Sequence, residues 1–247
     1  MKKIIDRKSF IKQLVFDATF LALIVVFAFV PYLGYITIGP LAFTTLHIFI
    51  VLGAALFGWK RGLLYGLFFG VTSLLVGLQY PGTLNYLCLN PLISILPRVL
   101  FGLISGLIFD FIRKFASQKL FNILLFPLSG VFTLLHTILY FVCFYLFGYL
   151  DVFNITHLLG LQDLISLLGQ YGGLLAFITT FMSIGCLCEI GACIVIVPLI
   201  YIPLNKYLHV GKVNDTKYVF TTKFNVICVS LITIIALISV IIFSIIL

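Results

Sequence analysis

The sequence predicts an all-α membrane protein, and three observations lead to that fold class. Hydrophobic residues make up 63% of the 247 residues. Charged residues make up only 9%, whereas a soluble domain carries about a quarter. The apolar runs are about 20 residues long and unbroken, which suits membrane-spanning helices. A membrane β-barrel would instead show alternating segments of about ten residues.

Other classes of protein are disfavoured by where the charges and cysteines fall. The net charge of +8 does not indicate nucleic-acid binding, because the basic residues lie at the ends of apolar runs. A cleaved signal peptide is not expected, since the first apolar run reaches Val30 without a small-residue cleavage site. The cysteines are scattered in apolar runs, so we interpret them as core residues rather than metal ligands or disulfides.

Six membrane spans are predicted, followed by a seventh apolar run. The expected bounds of the six are 14–30, 44–57, 62–78, 91–112, 121–147 and 174–202. Gly and Pro between the first two spans predict an ordered turn, and residues 148–173 form a long outer segment that could hold a short interfacial helix. The chain is therefore divided into a basic N-terminus (1–13), a six-helix core (14–205), a basic linker (206–223) and an additional hydrophobic helix (224–247).

The basic residues predict the orientation of these spans. Lys and Arg favour the cytoplasmic side of a membrane. Fourteen of the 15 basic residues fall on one side when the spans are threaded in order. The N-terminus is therefore expected in the cytoplasm of a multi-pass cell-membrane protein.

Arg98 is the exception to this pattern. It lies about 10 Å into the fourth span, counted at 1.5 Å per residue. Glu189 is the acidic residue deep in the sixth span, and charges at such depth need a partner or water. The two charges either form a buried ion pair that positions helices, or Arg98 faces an outward-open pocket and binds an anionic ligand group.

Several polar residues lie near the outer end of the spans and are candidates for the same pocket. Asn90 can cap the fourth helix, and Pro97 frees a backbone carbonyl one turn earlier, although an ordinary proline kink would look the same. The remaining candidates are Tyr35, Thr44, His47, Asn85 and Tyr86. His47 either lines the cavity or only caps its helix or bonds to a neighbouring one, and the two explanations stay open. For Tyr86, interfacial anchoring is the favoured explanation.

Small residues recur at every fourth position in three spans. Glycines do so in spans three and four (62, 66, 70; 102, 106), where internal packing is the favoured explanation. Ala18 and Ala22 form such a pair on span one. The chain contains no Walker A sequence, no His-Glu-x-x-His zinc motif and no Gly-x-Ser-x-Gly elbow. We therefore expect no enzyme activity, no cofactor and no metal.

Several segments resemble the substrate-binding (S) components of energy-coupling factor (ECF) vitamin transporters. They are Gly39-Pro40-Leu41-Ala42-Phe43-Thr44-Thr45-Leu46-His47-Ile48, residues 53–58, residues 66–74, residues 90–103 and residues 189–198. The Pro-Arg-x-Leu-x-Gly sequence at 97–102 resembles the branch that includes pantothenate transporters. The run 224–247 is additional to the six-span family core, and the 148–173 segment is longer than usual.

This resemblance implies a six-helix bundle with one vitamin site near its outer face. It also implies that Ala18 and Ala22 contact a transmembrane scaffold subunit, that two cytoplasmic ATPase subunits complete the importer, and that the loaded S component topples within the bilayer. Pantothenate is the preferred ligand, with Arg98 holding its carboxylate and Asn90, Thr44, His47 and Glu189 reaching its hydroxyls and amide.

Three alternatives remain open. The first is an S component for folate, riboflavin or a non-vitamin substrate; a riboflavin site would need more stacking surface, some of which Tyr35 and Tyr86 would supply. The second is a self-sufficient secondary transporter, although the sequence shows no inverted repeat. The third is a membrane scaffold or an enzyme with Glu189 as acid/base.

Overall fold

The computed structural model describes residues 7–30, 33–38, 41–79, 89–150, 153 and 174–208. Within these ranges the chain forms a helical bundle. Its helices are α1 (Arg7–Phe29), α2 (Leu46–Phe57), α3 (Trp59–Gln79), α4 (Pro91–Ser94), α5 (Leu96–Phe115), α6 (Gln118–Phe144) and α7 (Leu174–Leu208). A π-helical turn, Tyr145–Tyr149, continues α6. The short α4 and α5 together make the fourth predicted span, so the six-helix bundle is confirmed. The seventh apolar run lies outside the described residues.

Within the described ranges, four segments are long and apolar enough to cross a bilayer: Trp59–Leu78, Pro91–Phe115, Gln118–Gly148 and Gly185–Lys206. Leu14–Phe29 and Leu46–Phe57 are shorter apolar helices. At 1.5 Å per residue, α2 is only about 18 Å long against a hydrocarbon core of about 30 Å. Ten of its residues are buried in the bundle, so neighbouring helices rather than lipid surround it.

The first loop differs from its prediction. It was expected to be an ordered turn, but it contains two antiparallel strands, β1 (Tyr35–Ile38) and β2 (Leu41–Thr44). An isolated hairpin is marginally stable, so it needs support from elsewhere. Thr45 N–H donates to Gly34 O at 2.9 Å, and the Tyr35 hydroxyl bonds Ser73 Oγ on α3 at 2.6 Å. The first bond closes the base of the hairpin, and the second attaches the hairpin to α3.

Glycines allow α3 and α5 to pack backbone against backbone. A Cβ added at Gly66 would lie 2.3 Å from the carbonyl oxygen of Arg98, and one at Gly102 would lie 2.1 Å from that of Gly62. No side chain fits in that space, which confirms internal packing as the role of this repeat. α3 is therefore held tightly against the helix that carries Arg98.

The chain turns from α2 into α3 at the end of the bundle that lies away from the hairpin. Gly58 adopts a positive φ of 83°, which favours glycine, and Trp59 N–H donates to Asp110 Oδ2 at 2.9 Å. Asp110 also pairs with Arg113 at 2.9 Å. Arg113, one of the basic residues predicted to face the cytoplasm, therefore has an acidic partner at this end of the bundle.

Candidate functional site

A break between α4 and α5 builds the environment of Arg98. Asn90 caps α4, with its Oδ1 accepting from Leu92 N–H at 3.0 Å. Pro97 has no N–H and cannot bond the carbonyl of Ile93, four residues earlier. Arg98 Nη1 donates to that freed oxygen at 2.6 Å and to Ser94 O at 3.0 Å. The predicted effect of Pro97 is therefore present, and the freed carbonyl bonds Arg98.

Aromatic rings enclose the same guanidinium. Its central carbon lies 4.7 Å from the ring centroid of Tyr140 and 5.4 Å from that of Phe69. Arg98 is only 5% exposed, and its Nε has no hydrogen-bond partner among the described residues. Neither Arg98 nor Glu189 forms an ion pair within those residues, so the alternative of an Arg98–Glu189 pair is not observed. The Nε side of the guanidinium is the side that the two carbonyls leave open.

Glu189 is instead bound to the hairpin. Its Oε1 accepts from the backbone N–H of Thr44 at 2.6 Å, at the point where β2 ends. Thr44 Oγ1 accepts from Leu46 N–H at 3.4 Å, which places the hydroxyl at the start of α2. Both Thr44 groups thus have partners in the protein, and Glu189 connects α7 to the hairpin.

His47 lies beside Glu189 and beside His136, which was not among the predicted site residues. The rings of His47 and His136 stack with centroids 5.6 Å apart, and the potential ligand atoms of His47, His136 and Glu189 lie within 4.8 Å of one another. His136 also contacts Phe69 and Phe101, with centroids 5.7 and 5.1 Å away. A histidine in the middle of an apolar span is itself a functional indication, so the rule that selected Arg98 could have found His136.

The other predicted residues fall into three groups. Asn90 is fully buried, and its Nδ2 donates to Phe147 O at 3.1 Å, so its amide joins α4 to the π-helical turn. Tyr35 is held against α3 through Ser73. Asn85 and Tyr86 lie outside the described residues. The structure therefore brings Arg98 and His136 together around Phe69, with His47 and Glu189 beside His136, while Asn90 supports the helix break.

Comparison with known proteins bears on what this arrangement is for. Residues 12–201 match the family described as the ECF transporter, substrate-specific component. This chain belongs to that family. It is a multi-pass helical membrane protein.

A curated relative supports the pantothenate-type branch. The chain is 34% identical over 104 residues to a protein named pantothenate transporter PanT from Leuconostoc mesenteroides subsp. mesenteroides. The aligned part is 40% of this chain and 51% of that protein, so the chain spans about half the length of the relative it matches.

Proposed function

We propose that this chain is the vitamin-binding subunit of an ECF-type importer and that its ligand is pantothenate. Family membership and the similarity to a protein named as a pantothenate transporter support this proposal. Because the chain carries no Walker A sequence, ATP hydrolysis is assigned to partner ATPase subunits and the chain itself is not an enzyme. It acts by binding the vitamin tightly.

The single observation that carries the ligand assignment is the geometry of Arg98. Two of its N–H groups bond backbone carbonyls, which fixes the guanidinium in place. The Nε–Nη2 edge can then receive a carboxylate through two parallel hydrogen bonds, the geometry in which Arg binds carboxylates best. The Phe69 and Tyr140 rings would exclude water from the guanidinium and the bound carboxylate and so strengthen the hydrogen bonds between them.

Equilibrium binding of pantothenate to the purified chain tests this assignment. Arg98→Lys keeps a positive charge that can still reach the carbonyls, but it lacks the planar fork. A hydrogen bond to a charged group is worth about 1.5–3 kcal/mol, so this variant should bind roughly 10- to 150-fold more weakly. Arg61→Lys, at the opposite end beside Asp17, is the matched control and should bind as the unmodified chain does.

Three results would contradict the proposal. A folded Arg98→Lys variant with unchanged affinity would refute the carboxylate anchor. Tight binding of riboflavin or folate, but not of pantothenate, in the same assay would refute the ligand. Uptake by proteoliposomes that contain this chain alone, driven by an ion gradient, would refute the ECF mechanism itself.

We also propose that α1 presents the surface that contacts the transmembrane scaffold. Ala18 and Ala22 are both exposed on α1, so their side of the helix is available to another helix. Ala22→Leu would fill the space that a closely packed partner helix needs. Val26→Leu is the control, because it changes a half-exposed residue one turn further along that is already large and apolar. Ala22→Leu should lower co-purification with the scaffold and ATPases and leave pantothenate affinity unchanged. Equal co-purification of the two variants would contradict the assignment.

The N-terminus is proposed to lie in the cytoplasm. The basis is the distribution of basic residues, which also places the end of the bundle with Gly58 and Asp110 inside the cell. Labelling of single cysteines with an impermeant reagent in whole cells tests it. A cysteine at Lys60 should be protected, and labelling of that position from outside would reverse the orientation.

A further inference from the structure

His47, His136 and Glu189 form a polar cluster to which three different helices contribute. They belong to α2, α6 and α7, and their potential ligand atoms lie within 4.8 Å of one another. His47 is 0% and His136 4% exposed, and none of the four ring nitrogens has a hydrogen-bond partner among the described residues. Buried polar groups normally have partners, because leaving them unpaired is costly. The cluster therefore indicates a site for a bound group.

A metal ion and a polar organic group require different spacings of these ligand atoms. Zinc binds His and Glu at about 2.0–2.1 Å, so its tetrahedral ligands lie roughly 3.4 Å apart. Partners of one hydroxyl oxygen, each at about 2.75 Å, lie roughly 4.5 Å apart. The potential ligand atoms lie within 4.8 Å of one another, a limit that leaves room for one hydroxyl oxygen among them.

Hydrogen-bond accounting favours the same occupant. A metal ion would use one nitrogen of each imidazole, and metal-bound histidines normally donate their other N–H to an acceptor in the protein. Neither ring nitrogen of His136 has such an acceptor among the described residues. A ligand with several hydroxyls or an amide offers both donors and acceptors, which neutral imidazoles can pair with. Glu189 would accept a hydrogen bond from one hydroxyl or amide group of the ligand.

We infer that the His47–His136–Glu189 cluster binds the hydroxyl-bearing end of the transported molecule. This inference rests on the proposed function. The Phe69 ring lies 5.4 Å from the guanidinium carbon of Arg98 and 5.7 Å from the centroid of the His136 ring. One aromatic ring therefore contacts both polar ends of the site. A ligand lying across Phe69 needs a carboxylate at one end and hydroxyls at the other, and pantothenate has this arrangement. His136 thus becomes a residue that determines specificity.

The test compares pantothenate with an analogue in which both hydroxyls are replaced by hydrogen. The unmodified chain should bind the analogue roughly 10- to 100-fold more weakly, because the cluster is then left unpaired. His136→Phe keeps the ring that packs on Phe69 and Phe101, yet removes the nitrogens. It should bind pantothenate more weakly by a similar factor and no longer distinguish the two ligands.

Thr137→Val provides the control on the same helix. Its hydroxyl bonds Thr133 O at 3.1 Å and contacts Cys186 Sγ, so the variant loses a polar group outside the cluster. It should retain both the affinity and the discrimination of the unmodified chain. Glu189→Gln removes the charge but keeps the shape of the side chain, and it should reduce the discrimination between pantothenate and the analogue. It replaces His136→Phe as the test variant if His136→Phe does not fold.

Three outcomes would overturn the inference while leaving the proposed function in place. The first is equal affinity of the unmodified chain for pantothenate and its analogue. The second is unchanged discrimination in folded His136→Phe. The third is one equivalent of bound Zn²⁺ that is lost in the cluster variants, which would assign the site to a metal. Absence of saturable pantothenate binding to the unmodified chain would instead be a failure of the proposed function.

Discussion

The packing of α3 on α5 leads to a prediction at Gly66. A Cβ at this position would lie 2.3 Å from the carbonyl oxygen of Arg98 and 3.1 Å from its carbonyl carbon, whereas ordinary contacts begin at 3.4 Å. Gly66→Ala must therefore separate the two backbones by about 1 Å, at the residue that holds the proposed carboxylate. Such overpacking costs about 1–3 kcal/mol. The gain in helix propensity of about 0.5–1 kcal/mol offsets it only in part.

Gly191 on α7 provides a matched control, because a Cβ there would meet nothing within 4 Å. Gly191→Ala should be neutral or stabilising by the same propensity gain. Thermal unfolding of both variants in detergent should separate them by several degrees, since 1 kcal/mol shifts Tm by about 2–4 °C in a chain of this size. Gly66→Ala should also weaken pantothenate binding. If the two alanine variants unfold at the same temperature, the backbone contact between α3 and α5 is not as described.

Two further predictions concern stability. Asn90→Ala should lower the free energy of unfolding by about 0.5–2 kcal/mol, because it removes the α4 cap. Asn90→Ser should cost less, because a serine hydroxyl can still accept from Leu92 N–H although it loses the bond to Phe147 O; equal unfolding temperatures for the two variants would contradict this. Tyr65→Phe removes a 2.7 Å hydrogen bond to Asp17 and should lower the free energy of unfolding by about 1.5–3 kcal/mol, measured by thermal unfolding. Its pantothenate affinity should be unchanged, because this end of the bundle is not the proposed binding site.

Much of the fold follows from the sequence because the membrane imposes simple rules. Length and hydropathy predict the spans, and Asn90 and Pro97 predict where the fourth one begins and breaks. The helix limits are less predictable: α1 begins at Arg7 and α7 extends to Leu208, beyond the expected limits of 14 and 202. Residues at a membrane surface can continue a helix without being apolar, so hydropathy marks the apolar part and not the helix end.

The hairpin and the histidine cluster were not predictable by the same rules. Residues 35–44 lie between apolar runs, and whether they form a turn or paired strands depends on supports distant in sequence, such as Ser73 and Glu189. The cluster depends on which faces of α2, α6 and α7 meet. Hydropathy does not specify that rotation, because lipid-facing and core-facing residues of a span are both apolar.

The position of Arg98 joins the fold and the site in one causal sequence. Pro97 leaves the Ile93 carbonyl without its helical partner, and Arg98 supplies the missing donor. The absence of a side chain at Gly66 allows α3 to lie against the Arg98 backbone, so that Phe69, one turn along α3, reaches the guanidinium. The same ring then contacts His136. A change in helix separation at Gly66 should therefore affect both proposed ends of the ligand, whereas a change at Arg98 should affect one.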